Sequence, residues 1–197
     1  MKIYFVTGNR FKYELMKKVM SPDFEVEWLK PVGELEEPKE REVEKVVMKK
    51  LESARRMFPD IKEFIFITDV GLHFEALDGR PGALIKRETR ERFGGDFSKW
   101  CEVVKGSNRE AKVVVAMGAI DKQGRKVIVK HEVYGKISEK PAKGEYGFDW
   151  DEIFIPDWDK EELKGKSFAQ VPEEEKQRIM LIPLVEKFKR KMKEVLI

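Results

Sequence analysis

Along the first seventy residues, short apolar runs alternate with longer segments in which apolar side chains recur every three or four positions. The short runs predict β-strands, and the longer segments predict amphipathic helices. The predicted strands are residues 2–6, 24–29 and 63–67, and the predicted helices are residues 11–20 and 43–58. Later in the chain, two apolar segments flank a polar turn at 121–125 and predict a β-hairpin. Helices between strands, followed by a hairpin, indicate an α/β protein with a mixed, twisted sheet.

Length and composition narrow the class of protein and the kind of metal site. The 197 residues suffice for one domain with its own core. The net charge is only +3, whereas proteins that bind nucleic acid polymers have a strong excess of basic residues. We therefore expect no nucleic acid polymer as a partner. Cys101 is the only cysteine, and His73 and His131 are the only histidines. An intramolecular disulfide is therefore impossible, and a metal ion, if used, is expected to be a hard ion held by carboxylates.

The sequence also bears on location and source. No apolar stretch approaches the ~20 residues that a membrane-spanning helix needs. The apolar part of the N-terminus is too short for a signal peptide. We therefore expect a cytoplasmic protein with no membrane partner. Charged residues make up 39% of the chain, and this richness in Lys, Glu and Arg is typical of thermophile proteins.

The first candidate site is the turn between the first strand and the first helix, residues 7–12 with the sequence TGNRFK. Gly8 permits a tight turn, and a helix N-terminus offers free N–H groups and the positive end of the helix dipole. The amide of Asn9 and the ammonium of Lys12 add donors, and together these groups suit a phosphate. The spacing is not that of a Walker loop. An ordinary strand-to-helix turn with a solvated lysine explains the same residues.

Acidic residues supply the next candidates. Asp69 follows the third strand, and the carboxyl ends of strands are where α/β proteins place ligands and metals. A capping turn aspartate is the alternative. Glu44 and Lys49 lie five residues apart on the second helix, a net rotation of ~140°, so they do not share a face. Glu44 could face a cleft near the helix start, but the sequence alone favours two charges on a solvated helix.

An aromatic and acidic segment at residues 146–151, YGFDWD, completes the candidates. Aromatic rings stack on nucleobases, and aspartate accepts hydrogen bonds from base N–H groups. Core packing is the commoner use of such aromatic residues and is the alternative.

These four motifs occur in a fixed order along the chain, and together they resemble the inosine triphosphate pyrophosphatase family, also called Ham1-like. The family pattern T-x-N-x-x-K is matched by Thr7, Asn9 and Lys12, and the acidic residue and lysine of the next helix are matched by Glu44 and Lys49. Further matches are Asp69 with Gly71-Leu72, then Leu77 to Gly82, Tyr146 to Asp149, Phe154 to Pro156, Phe168-Ala169 and Glu174 to Lys176. The resemblance covers nearly the whole chain.

The resemblance implies an elongated single domain, residues 1–197, of two lobes with a nucleotide cleft between them, and a homodimer. It implies hydrolysis between the α and β phosphates of a nucleoside triphosphate, dependent on Mg²⁺ or on Mn²⁺ in its place. The products are a nucleoside monophosphate and pyrophosphate. The implied substrates are the deaminated purine nucleotides ITP, dITP and XTP, whose removal is a house-cleaning reaction.

The resemblance also implies three kinds of site residue. The substrate-binding residues are Thr7, Gly8, Asn9, Lys12, Tyr146, Gly147, Phe148, Asp149 and Lys176. The catalytic residues are Asp69, Lys12 and Lys49, with Asp69 orienting or deprotonating the attacking water. The metal ligands are Glu44 and Asp69.

The sequence departs from the family pattern at three places. Thr68 and Val70 stand where the family has an acid and a hydroxyl residue, and Pro81-Gly82-Ala83-Leu84 lacks the tyrosine of P-G-x-Y. Residues 180–182, Met-Leu-Ile, replace the Ser-His-Arg triplet that contacts the base in the family. We therefore expect an active enzyme with altered base choice. The alternatives are a pyrophosphatase acting on a different nucleotide and a non-catalytic nucleotide-binding paralogue.

Overall fold

The computed structural model describes residues 1–33, 35 and 38–196 of the chain. The strands are β1 (Lys2–Val6), β2 (Glu25–Leu29), β3 (Ile65–Phe74), β4 (Pro81–Gly82), β5 (Glu110–Ile120), β6 (Lys126–Ile137) and β7 (Phe154–Pro156). The helices are α1 (Arg10–Met20), α2 (Val43–Met57), α3 (Ile85–Phe93), α4 (Lys99–Val103), α5 (Glu173–Ile179) and α6 (Leu181–Leu196). Among the described residues, no helix is both long and apolar enough to cross a membrane.

The described strands form one seven-stranded sheet. Its order is β2-β1-β3-β5-β6-β7, and β4 pairs with β3 beside this path. β1 is parallel to both β2 and β3, whereas β4 and β7 are antiparallel to the strands they join. The sheet is therefore mixed, and the predicted α/β class is confirmed.

The chain divides into two compact units. The first unit contains the described residues of 1–69, 115–131 and 181–197, and the second contains 70–114 and 132–180. In the first unit, Phe5 and Phe66 stack with ring centroids 4.6 Å apart, and Phe188 of α6 lies 6.4 Å from Phe66. All three rings are buried, so neighbouring strands and α6 share one apolar core. This core fixes β1 and the first half of β3.

The second unit has its own aromatic core. Trp100 lies edge-to-face with both Phe74 and Phe93, and its indole N–H donates to the buried Thr89 hydroxyl at 2.7 Å. Trp150 and Phe168 are buried with them in the same cluster. The core therefore takes up part of the aromatic segment that the sequence analysis selected for base binding.

The third strand differs from its prediction. We predicted a strand that ends at residue 67, before Asp69, but β3 runs without interruption from Ile65 to Phe74. Asp69 therefore lies within a strand and not in a turn at its end. Gly71 serves close packing, because a Cβ there would lie 2.6 Å from the backbone nitrogen of Ala83, just after β4.

The C-terminal helical segment is split into two helices. α5 ends at Ile179, and α6 begins at Leu181. Pro183 lies in the first turn of α6, where a missing N–H costs no helical hydrogen bond. The split puts Met180 at the junction of the two helices.

Candidate functional site

The turn between β1 and α1 presents polar groups at a helix N-terminus in the first unit. The side-chain oxygen of Asn9 accepts from the Lys12 backbone N–H at 3.1 Å and caps the helix. The backbone N–H of Asn9 donates to the Thr7 hydroxyl at 3.1 Å. The carbonyl end of the Asn9 amide is thus committed to the cap, and its NH₂ end is the part that can donate to a ligand. Gly8 and Asn9 are exposed, so an anion has access to the positive end of the helix dipole.

Two neighbouring lysines on α2 have different surroundings. Lys49 is half exposed, and its ammonium pairs with Glu40 at 2.7 Å. The ammonium of Lys50 lies 2.8 Å from a carboxylate oxygen of Asp69, and the two side chains are only 15% and 18% exposed. The structure therefore places Lys50, and not the expected Lys49, beside the predicted catalytic acid.

A signal for Lys50 was present in the sequence. The buried stripe of α2 consists of Val43, Val46, Val47, Leu51 and Ala54. Lys50 follows two of these valines by three and four residues, which puts it on the same side of the helix. Lys49 points about 100° away from Lys50 and lies outside the arc of these buried residues. The helical periodicity alone favours Lys50 as the inward lysine.

The predicted metal ligands are both paired with lysines. Glu44 lies 2.5 Å from the ammonium of Lys130, and Asp69 pairs with Lys50. In the described part of the chain, no group of three or more His, Cys, Asp or Glu side chains is close enough to hold a metal ion. Within the described ranges, the residues as placed therefore do not fit a divalent ion held by protein side chains alone.

The loop that follows β6 in the second unit carries two exposed aromatic rings. Tyr146 is 43% exposed and Phe148 is 67% exposed. The ammonium of Lys86 lies 5.2 Å from the centroid of the Phe148 ring and also pairs with Asp149. The two rings offer stacking surfaces, while the carboxylate of Asp149 is neutralised by Lys86.

Close backbone packing holds this loop in place. The backbone N–H of Tyr146 donates to the carbonyl of Ala169 at 3.1 Å. A Cβ at Gly144 would lie 2.0 Å from the same carbonyl oxygen, and one at Gly147 would lie 2.9 Å from the Ala169 Cβ. Gly147 therefore has a packing role in addition to its place in the predicted binding motif.

This packing gives a stability prediction. Overpacking costs ~1–3 kcal/mol of folding free energy. In a chain of this size we therefore expect Gly144→Ala to lower the melting temperature by roughly 5 °C. Gly8→Ala is the matched control, since a Cβ at Gly8 meets nothing within 4 Å. Thermal unfolding followed by circular dichroism measures both variants. Equal melting temperatures for Gly144→Ala and the wild type would contradict the packing described here.

Lys176 and Asp151 form a buried ion pair beneath the loop. The ammonium of Lys176 lies 3.0 Å from Asp151 Oδ2, from Glu173 and from the backbone carbonyl of Tyr146. Burial raises the pKa of the Asp151 carboxyl, and the Lys176 ammonium offsets this only in part. Burial acts to lower the pKa of Lys176, but Asp151 and Glu173 outweigh it and raise that pKa above its ordinary value. Three acceptors occupy the three hydrogens of the ammonium, so Lys176 positions the loop.

The residues in place of the Ser-His-Arg triplet carry no polar side-chain groups. Met180 is half-buried and packs, with Ile179, against the aromatic core of the second unit. Leu181 is buried, and Ile182 is 46% exposed. None of the three can form a polar side-chain contact with a base.

Comparison with known proteins identifies the family. The family model described as the Ham1 family matches residues 3–181. The chain belongs to the Ham1 family. A dITP/XTP pyrophosphatase of Methanopyrus kandleri is 31% identical over 183 residues, covering 91% of this chain and 89% of that protein. An inosine triphosphate pyrophosphatase of Fusarium vanettenii is 30% identical over 179 residues, covering 90% and 88%.

Solved structures of Ham1 proteins agree with the fold. A nucleoside-triphosphatase / dITP/XTP pyrophosphatase of Mycobacterium abscessus has a TM-score of 0.73 and 25% identity, covering 91% of this chain and 93% of that one. A HAM1 protein of Coxiella burnetii has a TM-score of 0.81 at 19% identity, covering 98% and 99%. The second match supports the fold alone. The resemblance stated from the sequence motifs is therefore confirmed.

The backbone of this Ham1 protein offers a second way to place the aromatic-Gly-aromatic-Asp motif. Asp149 has a φ of 53°, in the left-handed region that favours glycine and that aspartate tolerates. Asp149 can therefore stand at the glycine position, so that Phe148 and Trp150 are the two aromatic residues and Asp151 is the aspartate. Asp151 is thus a candidate that the sequence reasoning missed. Two overlapping matches, two residues apart, were both visible in the sequence, and the backbone dihedral of Asp149 and the pairing of Asp151 with Lys176 separate them.

Proposed function

We propose that this Ham1 protein is a nucleoside triphosphate pyrophosphatase that releases a nucleoside monophosphate and pyrophosphate. The observation that carries the proposal is the largely buried Lys50–Asp69 pair in the unit that also holds the Thr7–Lys12 turn. An acid and a cation in the same unit as an exposed helix N-terminus suit hydrolysis of a phosphoanhydride, which depends on positioning and charge neutralisation. The names of the relatives support the same reaction.

We assign phosphate binding and hydrolysis to residues of the first unit. Lys12 and the amide of Asn9 bind the β and γ phosphates, with the free N–H groups of α1 and the Thr7–Gly8 backbone around them. Asp69 orients the attacking water and accepts its proton, and the water oxygen forms the new bond to the α phosphorus. The bond between that phosphorus and the bridging oxygen breaks, and pyrophosphate leaves. Lys50 takes the role that the sequence assigned to Lys49 and neutralises charge on the phosphates. The proposal includes a requirement for Mg²⁺, with Mn²⁺ as a substitute.

We assign recognition of the base to residues of the second unit. Phe148 and Tyr146 are the exposed rings on which a base stacks. The contacts of Lys176 and of the Phe148 backbone N–H to Asp151 both go to Oδ2, so Oδ1 is the oxygen we expect to accept from a base N–H. Asp149 remains the second candidate for this role. Lys176 holds the loop in the required position.

The test of the proposed function is a substrate panel in which pyrophosphate and orthophosphate are measured separately. ITP, dITP, XTP, ATP, GTP and dUTP are incubated with the protein, with and without Mg²⁺ or Mn²⁺. We expect pyrophosphate and the corresponding monophosphate as primary products. Orthophosphate as the sole primary product would overturn the proposal. Absence of any turnover, with nucleotide binding retained, would favour the non-catalytic paralogue.

The apolar residues 180–182 favour a change in base choice, and a different preferred nucleotide is the second candidate function. We expect kcat/KM for ITP to exceed that for ATP by less than ~10²-fold, because apolar contacts discriminate by only ~1–3 kcal/mol. Introducing Met180→Ser, Leu181→His and Ile182→Arg together should increase this ratio, provided that circular dichroism shows a folded protein. A wild-type preference for ITP of ~10³-fold, which normally requires hydrogen-bonded recognition, would contradict the prediction.

We also propose, from the resemblance, a homodimer acting in the cytoplasm. The content of charged residues, 39%, supports a thermophilic source. Light scattering on the purified protein tests the oligomeric state, and a monomer across the micromolar range would contradict it.

A further inference from the structure

Two carboxylates of the first unit are each neutralised by a lysine from a different element. Lys50 of α2 lies 2.8 Å from Asp69 of β3, and Lys130 of β6 lies 2.5 Å from Glu44 of α2. Asp69 and Glu44 are 18% and 29% exposed, so water screens these pairs less than pairs at the open surface. These are the two acidic residues that the sequence analysis selected as metal ligands.

An ammonium beside a carboxylate competes with a divalent cation. It occupies the oxygen that the cation needs, and it repels the positive charge of the cation. Both effects lower the affinity of the carboxylate for the cation. Mg²⁺ is commonly bound through one or two carboxylates together with substrate phosphates. Thr68 stands where the family has an acid, so the residue before Asp69 in the chain adds no negative charge beside it.

We propose that Lys50 and Lys130 keep divalent cations away from Asp69 and Glu44 until a triphosphate arrives, so that the ion binds only as its nucleotide complex. The polyphosphate supplies the negative charge that draws Lys50 away from Asp69 and at the same time brings the ion. Lys50 thus governs the order of binding in addition to its role toward the phosphates. The nucleotide half of this inference rests on the proposed function, whereas the exclusion of free cations does not.

Binding of Mn²⁺, followed by the electron paramagnetic resonance signal of the free ion, tests the exclusion without any turnover. The wild type, Lys50→Met and Lys126→Met are titrated at neutral pH in the absence of nucleotide. Lys126 pairs with Glu52 at 2.6 Å in the same unit and is the matched control for removal of a lysine partner. We expect Lys50→Met to bind Mn²⁺ at least ~10-fold more tightly than the wild type, and Lys126→Met to match the wild type.

Equal Mn²⁺ affinity in the wild type and Lys50→Met would overturn the inference, as would an equal gain in Lys126→Met. If circular dichroism shows that Lys50→Met is unfolded, Lys130→Met gives the same comparison at Glu44. A second arm adds the non-hydrolysable α,β-methylene analogue of ITP to the wild type and measures water proton relaxation. A protein–Mn²⁺–analogue complex is expected. Its absence together with a gain in Lys50→Met would count against the proposed function while supporting the exclusion of free cations.

Discussion

Asp69→Asn is expected to lower kcat/KM by ~10²- to 10⁴-fold on the best substrate, the range for loss of a positioned acid or base. Asparagine retains an oxygen that can accept from Lys50, so the partner is not left without an acceptor and the fold should persist. It cannot take a proton from water at neutral pH, so the role proposed for Asp69 is lost. Initial rates of pyrophosphate release, measured over a range of substrate concentrations, give kcat/KM.

The control for this variant is Asp60→Asn, which removes an exposed carboxylate from a turn of the same unit. It should leave both the rate and the melting temperature near those of the wild type. Near wild-type turnover in Asp69→Asn would show that another group handles the water.

Lys50→Ala and Lys49→Ala are expected to differ strongly, although the two residues are neighbours. Lys50→Ala should lower kcat/KM by at least ~10²-fold, the effect of removing one preorganised electrostatic contact to the transition state. Lys49→Ala should change it by no more than about threefold, because an exposed ion pair such as Lys49–Glu40 contributes ~0–1 kcal/mol. The same pyrophosphate assay measures both variants.

The reverse order of effects would restore the assignment made from the sequence motif, with Lys49 as the catalytic lysine. Thermal unfolding of Lys50→Ala is needed beside the kinetics, because the variant leaves the largely buried Asp69 carboxylate without this partner. If the protein unfolds, Lys50→Arg provides a second variant: it keeps the charge but changes its geometry, and we expect it to fold and to lose activity.

Local sequence patterns were sufficient to predict much of the fold. The apolar periodicity of α1 and α2 and the strand-like run of β1 predicted those elements and the α/β class, because each depends on which side of a short segment is buried. The turn at residues 7–12 was selected correctly as a helix N-terminus, since an Asn cap and a preceding strand are local signals. Pro183, in the first turn of α6, is likewise a local signal for a helix start.

The remainder depends on contacts between distant residues. β3 continues through Gly71 because the backbone after β4 packs directly against it, and no signal within residues 68–71 reveals that neighbour. The choice between Asp149 and Asp151 depends on one backbone dihedral and on Lys176, which lies 25 residues beyond Asp151 in the chain. The motif order selected the loop at residues 146–151, whereas packing decides that Asp151 pairs with Lys176 and Asp149 with Lys86.

Met180 packs against the aromatic core of the second unit, so a substitution made there to change base choice would also change the stability of the fold. A serine at this position would exchange a packed thioether for a hydroxyl that must find a hydrogen-bond partner or face water. A return to the polar triplet at 180–182 would therefore carry a stability cost before any gain in discrimination. A mutational path toward strict selection of deaminated purines would therefore depend on a stabilising substitution elsewhere in this unit. Packing of Met180 in the core thus opposes loss of the broad base choice that we expect.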